Sequence, residues 1–222
     1  WKIVQGNFRD IVDIAKREGF GAVDGVLLDL GVSSHQLDTA SRGFSYRFPD
    51  APLDLRLSRD TQQFTAADVV RGSSEKELYE ILATYGEEKL ARAIAHALVG
   101  ARRVAPIQTV GQLVAIVSGV SPNPRDTPGT LSRVFQALRI ATNDELAALK
   151  SALAGARELL VPGGRLVVIS FHSLEDRIVK QTMRSGSWHM MTKKPMTPAA
   201  EEQKTNARSR SAKLRVAEKI PV

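Results

Sequence analysis

One carboxylate interrupts an apolar run early in the chain. Residues 26–30 read Val-Leu-Leu-Asp-Leu, and the run breaks at once into the small-residue turn Gly31-Val32-Ser33-Ser34. A short apolar run bounded by glycine reads as a buried strand of a parallel sheet. In open α/β sheets, ligands bind just outside the carboxyl ends of the strands. A carboxylate buried there is costly unless it bonds something, so Asp29 meets either a ligand's donors or the amides of a nearby helix or turn. A second group, His172-Ser-Leu-Glu-Asp176, follows another apolar run. Ser173 and Asp176 have capping-box spacing, and Glu175 and Asp176 suit the positive end of a helix. His172 is left unexplained by capping and is free to face a cleft. A third group lies in a loop, where Arg42-Gly-Phe-Ser-Tyr46 and Pro52-Leu-Asp-Leu-Arg56 combine arginine, aromatics and a carboxylate. That mixture suits an unstacked base, with aromatic faces stacking it and arginine holding phosphate. It equally suits a loop whose aromatics anchor it to a core.

Such groups need elements to hold them. Ile11, Ile14 and Ala15 have helical spacing and end at Gly19; the strand with Asp29 follows. Residues 33–52, rich in Ser, Asp, Arg and Pro, read as a long functional loop. Residues 65–118 are helical throughout, with capping-box spacing at Thr65/Asp68 and Ser74/Glu77. Three prolines make residues 119–129 a connector. A long helical stretch, 131–160, bends near Thr142-Asn143 and ends at Pro162-Gly-Gly164. A strand at 165–171 and a helix from Ser173 to about Met183 come next. Lys213-Leu-Arg-Val216 alternates charge with apolar residues as a half-buried strand does. Trp1-Lys-Ile-Val-Gln5 is strand-like too. The order is strand, helical insert, long helix, strand, helix, basic loop, strand.

Composition narrows the chemistry. The 222 residues carry a net charge of +7 and a pI near 9.9, which favours a polyanionic partner. From Lys193 onward there are eight Lys/Arg against three Glu, so +5 of that charge lies in the last thirty residues. There is no cysteine, which excludes disulfides and thiolate metal sites and suits a reducing cytoplasm. No apolar run approaches the roughly 20 residues of a membrane span. Gly19, Gly21 and Gly25 have the wrong spacing for a dinucleotide fingerprint and precede a strand instead of following one. A metal-dependent hydrolase built on His172, Glu175 and Asp176 lacks a further ligand cluster, so no metal is expected.

The segments 24–38, 42–45, 52–56, Tyr85-Gly-Glu-Glu88, 135–140 with Asn143-Asp-Glu-Leu146, 162–180 and 206–215 occur in that order. Each is weak alone, but together they span nearly the whole chain and resemble the bacterial RsmH (MraW) family. The resemblance implies an α/β fold: a class I (Rossmann-like) methyltransferase sheet with an inserted all-helical subdomain. It implies N4-methylation of a cytidine in the 16S rRNA decoding centre of the 30S subunit, with S-adenosyl-L-methionine, in the bacterial cytoplasm. Phe8, Asp29 and Gln36 fall on cofactor-contacting positions. The residues expected at substrate RNA are Arg42, Phe44, Arg56, Arg139, Arg208 and Arg210, and the catalytic candidates are Asp29 and His172. The expected division is residues 1–38 and 129–222 for the methyltransferase core and 39–128 for the loop and helical subdomain. Ala51 stands where the family commonly has glycine. The family's N-terminal glycine-rich cofactor loop, and the acidic residue after the next strand, have no counterpart here. The expectation is therefore an N-terminally incomplete sheet, with Trp1–Gln5 as its third strand, a gap at its centre, and no activity from this chain alone. A non-catalytic RNA- or ribosome-binding role, and a DNA amino-methyltransferase, are the alternatives.

Overall fold

Helix-capping side chains punctuate the chain in the computed structural model, which describes residues 1–221. A 3₁₀ turn at Phe8–Asp10 enters α1 (Ile11–Arg17), followed by β1 (Val23–Asp29), α2 (Ser34–Asp38) and a 3₁₀ turn at Ala40–Arg42. Helices α3 (Ala66–Gly72), α4 (Glu75–Gly86), α5 (Ala91–Val104), α6 (Val110–Val120) and α7 (Thr127–Asn143) come next. The chain ends with α8 (Glu145–Leu159), β2 (Leu160–Ser170), α9 (Ser173–Met183), β3 (Trp188–Met190), α10 (Ala200–Thr205) and β4 (Lys213–Lys219). Thr65/Asp68 and Ser74/Glu77 form the expected capping boxes, joined by Ser33/Gln36 and Thr109/Gln112. The bend expected near Asn143 is a full break, with Asp144 left-handed at φ 50° between α7 and α8. Trp1–Gln5 forms no strand: it has no ladder partner, and Trp1 and Ile3 are exposed.

The chain divides into two units, one of Trp1–Gly31 with Leu146–Val222 and the other Val32–Glu145. The first is built on a four-stranded sheet of order β1-β2-β4-β3. β1 runs parallel to β2, while β4 is antiparallel to both β2 and β3. Val26, Leu28, Leu166, Val168 and Ala217 share one buried face, packed with Leu149, Ala152 and Leu153 of α8 and Val179 and Met183 of α9. Gly155 of α8 lets α1 come close, since a Cβ there would lie 2.7 Å from Ile11 Cγ2. Two details depart from expectation. β1 is not wholly buried: it pairs with β2 alone among the described residues, and Leu27, on the uncovered face, is 63% exposed. In β4 the charge points inward, because Arg215 is buried and bidentate with Asp176 of α9 at 2.6 and 3.1 Å. A buried arginine is tolerated when a carboxylate meets both of its nitrogens.

The second unit is helical. Leu78 and Leu82 of α4, Ile94 and Leu98 of α5, and Val134 and Leu138 of α7 are all fully buried in one core. At roughly 1.5–3 kcal/mol per buried aliphatic side chain, this core holds the unit together. α7 joins it because Leu131, Val134, Phe135 and Leu138 form one apolar stripe at helical spacing. The divisions therefore fall at 31/32 and 145/146, against the expected 38/39 and 128/129. The architecture is a Rossmann-like α/β sheet interrupted by a helical unit.

Candidate functional site

In the sheet unit, Asp29 ends β1 in register with Ile169 of β2, and the Leu30 amide donates to the Ile169 carbonyl at 3.0 Å. The chain then turns at Gly31, whose φ of +85° favours glycine. Asp29 is exposed, and its side chain makes no hydrogen bond or ion pair among the described residues. Neither burial nor capping accounts for it, so its carboxylate is open to an outside donor. Phe8 is half-buried and packs on the core beneath the sheet.

His172 differs from its sequence reading. It is itself the N-cap of α9, its Nδ1 accepting from the Glu175 amide at 3.4 Å. Glu175 Oε2 accepts from the amides of Phe171 (2.8 Å) and His172 (3.3 Å). The capping pair is thus His172/Glu175, one residue earlier than Ser173/Asp176. Asp176 turns to β4, where Arg215 takes both its oxygens and Lys213 Nζ lies 3.6 Å away. The side chains of His172 and Glu175 are 8% and 4% exposed. Buried amides at a strand–helix junction need acceptors, which is the work this pair does.

In the helical unit, residues 39–65 form a loop braced from within. Gly43 sits at φ +71°, and a Cβ there would clash with the Pro52 carbonyl oxygen. Arg42 Nη2 donates to the Arg56 and Leu57 carbonyls at 2.6 and 2.9 Å. Arg56 binds Asp54 at 2.7 Å through Nε and donates to the Gln62 carbonyl at 2.8 Å. The Arg42 and Arg56 guanidiniums therefore hold the loop's own backbone. Gln36 Oε1 accepts from the Ser33 amide at 2.9 Å in a capping box, leaving its NH₂ to donate.

An open cleft of about 380 Å³ lies beside this loop, lined by Phe44, Tyr46, Leu55, Phe135, Gln136 and Arg139 among others. That volume is at the small end of the roughly 300–1,000 Å³ typical of ligand clefts. The Tyr46 and Phe135 rings meet edge-on at 6.0 Å. Arg139 is fixed by Glu145 through two hydrogen bonds of 2.8 and 3.0 Å. Asn143 ties the loop to α7: its Oδ1 accepts from the Leu57 amide (2.7 Å), and its Nδ2 donates to the Leu55 and Arg139 carbonyls (both 2.8 Å). Phe44 and Arg139, of the residues expected at RNA, thus line one cleft, while Arg42 and Arg56 brace the loop. Sequence reasoning put Tyr46 among the aromatics suited to stack a base but gave no site role to Phe135 or Asn143. The spacing of four along Phe135, Arg139 and Asn143, one face of α7, was the signal for the last two.

Asp54 provides a pH test of this bracing. Burial pushes its carboxyl up, but the hydrogen bonds from Arg56 and the charges of Arg56 and Arg59 outweigh that and hold it below the ordinary range. Asp176 is held low in the same way by Arg215 and Lys213 against its burial. A carboxyl with a depressed folded value stabilises the fold fully above the unfolded value of about 3.9, and that contribution is lost as pH falls through the folded value. Between about pH 5 and pH 3 the protein is expected to lose denaturant stability, and Asp54→Asn, weaker at neutral pH, is expected to lose less over that interval. Equal losses in parent and variant would remove Asp54 from this role.

A family model described as the MraW methylase family matches residues 1–220. A ribosomal RNA small subunit methyltransferase H of Deinococcus deserti is 51% identical over 221 residues, covering 99% of this chain and 73% of the relative. The protein of the same name in Methylobacterium sp. strain 4-46 is 49% identical over 242 residues, with 98% and 70% covered. That of Deinococcus radiodurans is 50% identical over 218 residues, with 98% and 69% covered. Among the described residues no helix is long and apolar enough to cross a membrane.

Proposed function

The chain belongs to the MraW methylase family, and from that premise we propose that it transfers a methyl group from S-adenosyl-L-methionine to N4 of a cytidine in the decoding centre of 16S rRNA. It acts on the 30S subunit in the bacterial cytoplasm. The observation that carries this reading is Asp29: an exposed carboxylate without a partner among the described residues, at the carboxyl end of a parallel strand, where α/β sheets bind ligands. Its chemistry fits the hydroxyl and ammonium donors of the cofactor. Phe8 and the free NH₂ of Gln36 are the other groups that would hold it. The cofactor supplies an activated methyl on a sulfonium.

The remaining work falls to the chain. An exocyclic cytosine amine is a poor nucleophile, because its lone pair is delocalised into the ring. Alignment and exclusion of water therefore dominate the catalysis. The cleft lined by Phe44, Tyr46 and Phe135 suits an unstacked base. Arg139, fixed by Glu145, offers donors to the acceptor edge of a cytosine.

The test is methyl incorporation from labelled S-adenosylmethionine into 30S subunits from cells lacking this modification, followed by nucleoside mass spectrometry. N4-methylcytidine in 16S rRNA is the expected product. Label in another nucleoside or in DNA would replace the assigned substrate. RNA binding with no incorporation by the full-length gene product would leave a non-catalytic factor.

A further inference from the structure

The net charge of this protein is not shared between its two units. Residues 32–145 hold 13 Lys/Arg and 13 Asp/Glu, whereas the remainder holds 18 and 11, so the whole +7 belongs to the sheet unit. Within that unit, residues 193–213 hold six cations, Lys193, Lys194, Lys204, Arg208, Arg210 and Lys213, against Glu201 and Glu202.

This segment is built, not trailing. Its neck is closed by a bridge between Met196 and Leu214, with an N–H to carbonyl bond of 2.9 Å in each direction. Upstream, the Met191 amide donates to the Val216 carbonyl at 3.0 Å, and the Val216 amide donates to Thr192 Oγ1 at 3.0 Å. Inside the loop, α10 runs into a 3₁₀ turn at Ala207–Ser211, with the buried Ser209 bonded through its hydroxyl to the Asn206 carbonyl at 2.8 Å. Arg210 Nε donates to the Gln203 carbonyl at 3.3 Å. Lys193, Lys194, Lys204 and Arg210 are exposed, and none of them forms an ion pair among the described residues.

The position of the neck matters as much as the charge. Lys213 is in register with Ser170 at the carboxyl end of β2, next to Ile169, the register partner of Asp29. The loop therefore leaves the sheet at the edge that carries Asp29 and His172.

We propose that residues 193–213 form a preformed grip for the phosphodiester backbone of the substrate RNA beside the reacting edge of the sheet. The helical unit, with no net charge, contributes base recognition and not general affinity. Exposed, unpaired cations on a pre-ordered loop can neutralise phosphates and release their counterions without first ordering the chain. The inference rests on the RNA substrate proposed above and adds where its backbone is held.

The experiment measures binding of a labelled 16S rRNA hairpin across a salt series, together with methyl incorporation. The quadruple variant Lys193→Gln/Lys194→Gln/Lys204→Gln/Arg210→Gln is expected to reduce the slope of log affinity against log salt by about 3, and affinity near 0.1 M salt by about 100-fold or more. Arginine at the three lysine positions is expected to keep the slope, and Arg92→Gln/Arg103→Gln in the helical unit is expected to leave it unchanged. S-adenosylmethionine affinity and melting temperature should not move in any of these. An unchanged slope in the quadruple variant, or an equal loss in the helical-unit variant, overturns the grip. If 30S subunits are methylated normally while the slope is unchanged, the grip fails and the enzyme assignment stands. If the slope falls as expected but no protein methylates RNA, the grip stands and the enzyme assignment fails.

Discussion

Asp29→Asn in the full-length gene product is expected to weaken S-adenosylmethionine binding about 10- to 100-fold while shifting the melting temperature by no more than about 2 °C. The two halves of this result have separate causes. A carboxylate that accepts from a charged or hydroxyl donor contributes roughly 1.5–3 kcal/mol, and each 1.4 kcal/mol is a factor of ten in affinity. The fold loses almost nothing, because the Asp29 side chain is exposed and has no partner among the described residues; substitutions at such surface positions usually stay within about 0.5 kcal/mol. Asparagine keeps the shape and one acceptor oxygen, so alanine should bind more weakly still. Titration calorimetry and a thermal melt on the same samples decide the matter. Unchanged affinity would take Asp29 out of the site, and a large loss of melting temperature would make it a structural residue.

Asn143→Leu is expected to cost about 3–5 kcal/mol in the helical unit, the largest effect on stability anticipated for a single residue here. Leucine keeps asparagine's branched outline, is bulkier, and makes none of its three hydrogen bonds. It would leave the Leu57 amide and the Leu55 carbonyl without their present partner, at roughly 1–3 kcal/mol for each buried group. Leu55 adds to this. It is 1% exposed and left-handed at φ 59°, a conformation that costs a non-glycine residue roughly 1 kcal/mol or more and persists only where neighbours enforce it. Chemical denaturation gives the magnitude, and hydrogen exchange across residues 52–59 shows whether the loop is what opens. A loss below about 1 kcal/mol would mean that the Asp54–Arg56–Arg59 cluster holds the loop without Asn143. Because Leu55, Phe135 and Arg139 all line the cleft, methyl transfer should fall with the loop's protection.

Features with short-range causes were legible. The capping boxes at Thr65/Asp68 and Ser74/Glu77 link residues three apart, and the break between α7 and α8 falls at Asn143-Asp144, where the helical pattern already faltered. Asp29 at the end of a strand, and the sequence of β1, helical insert, β2, α9 and β4, followed from periodicity and the placing of glycine, whereas β3 and α10 lie in the stretch read as a basic loop. The choices between neighbours were not legible. Whether Ser173 or His172 caps α9 depends on the amides of Phe171 and His172 both reaching Glu175. The burial of Arg215 depends on Asp176, 39 residues away. Trp1–Gln5 has strand-like residues but no ladder to join.

Arg42 and Arg56 illustrate the same limit. A guanidinium serves a phosphate and a carbonyl oxygen equally well, and only the folded loop assigned theirs to the Arg56, Leu57 and Gln62 carbonyls and to Asp54. Residue types and their spacing determined the alternation of strand and helix and the carboxylate at the sheet edge, because each arises within a few residues of chain; the family followed from the order of many short motifs along the whole chain. Tertiary structure alone decided which charges are consumed internally and which remain open to a ligand. A hydrogen bond is made to whatever group lies within about 3 Å; for Arg42 that group lies 14 residues along the chain and for Arg215 it lies 39 residues away.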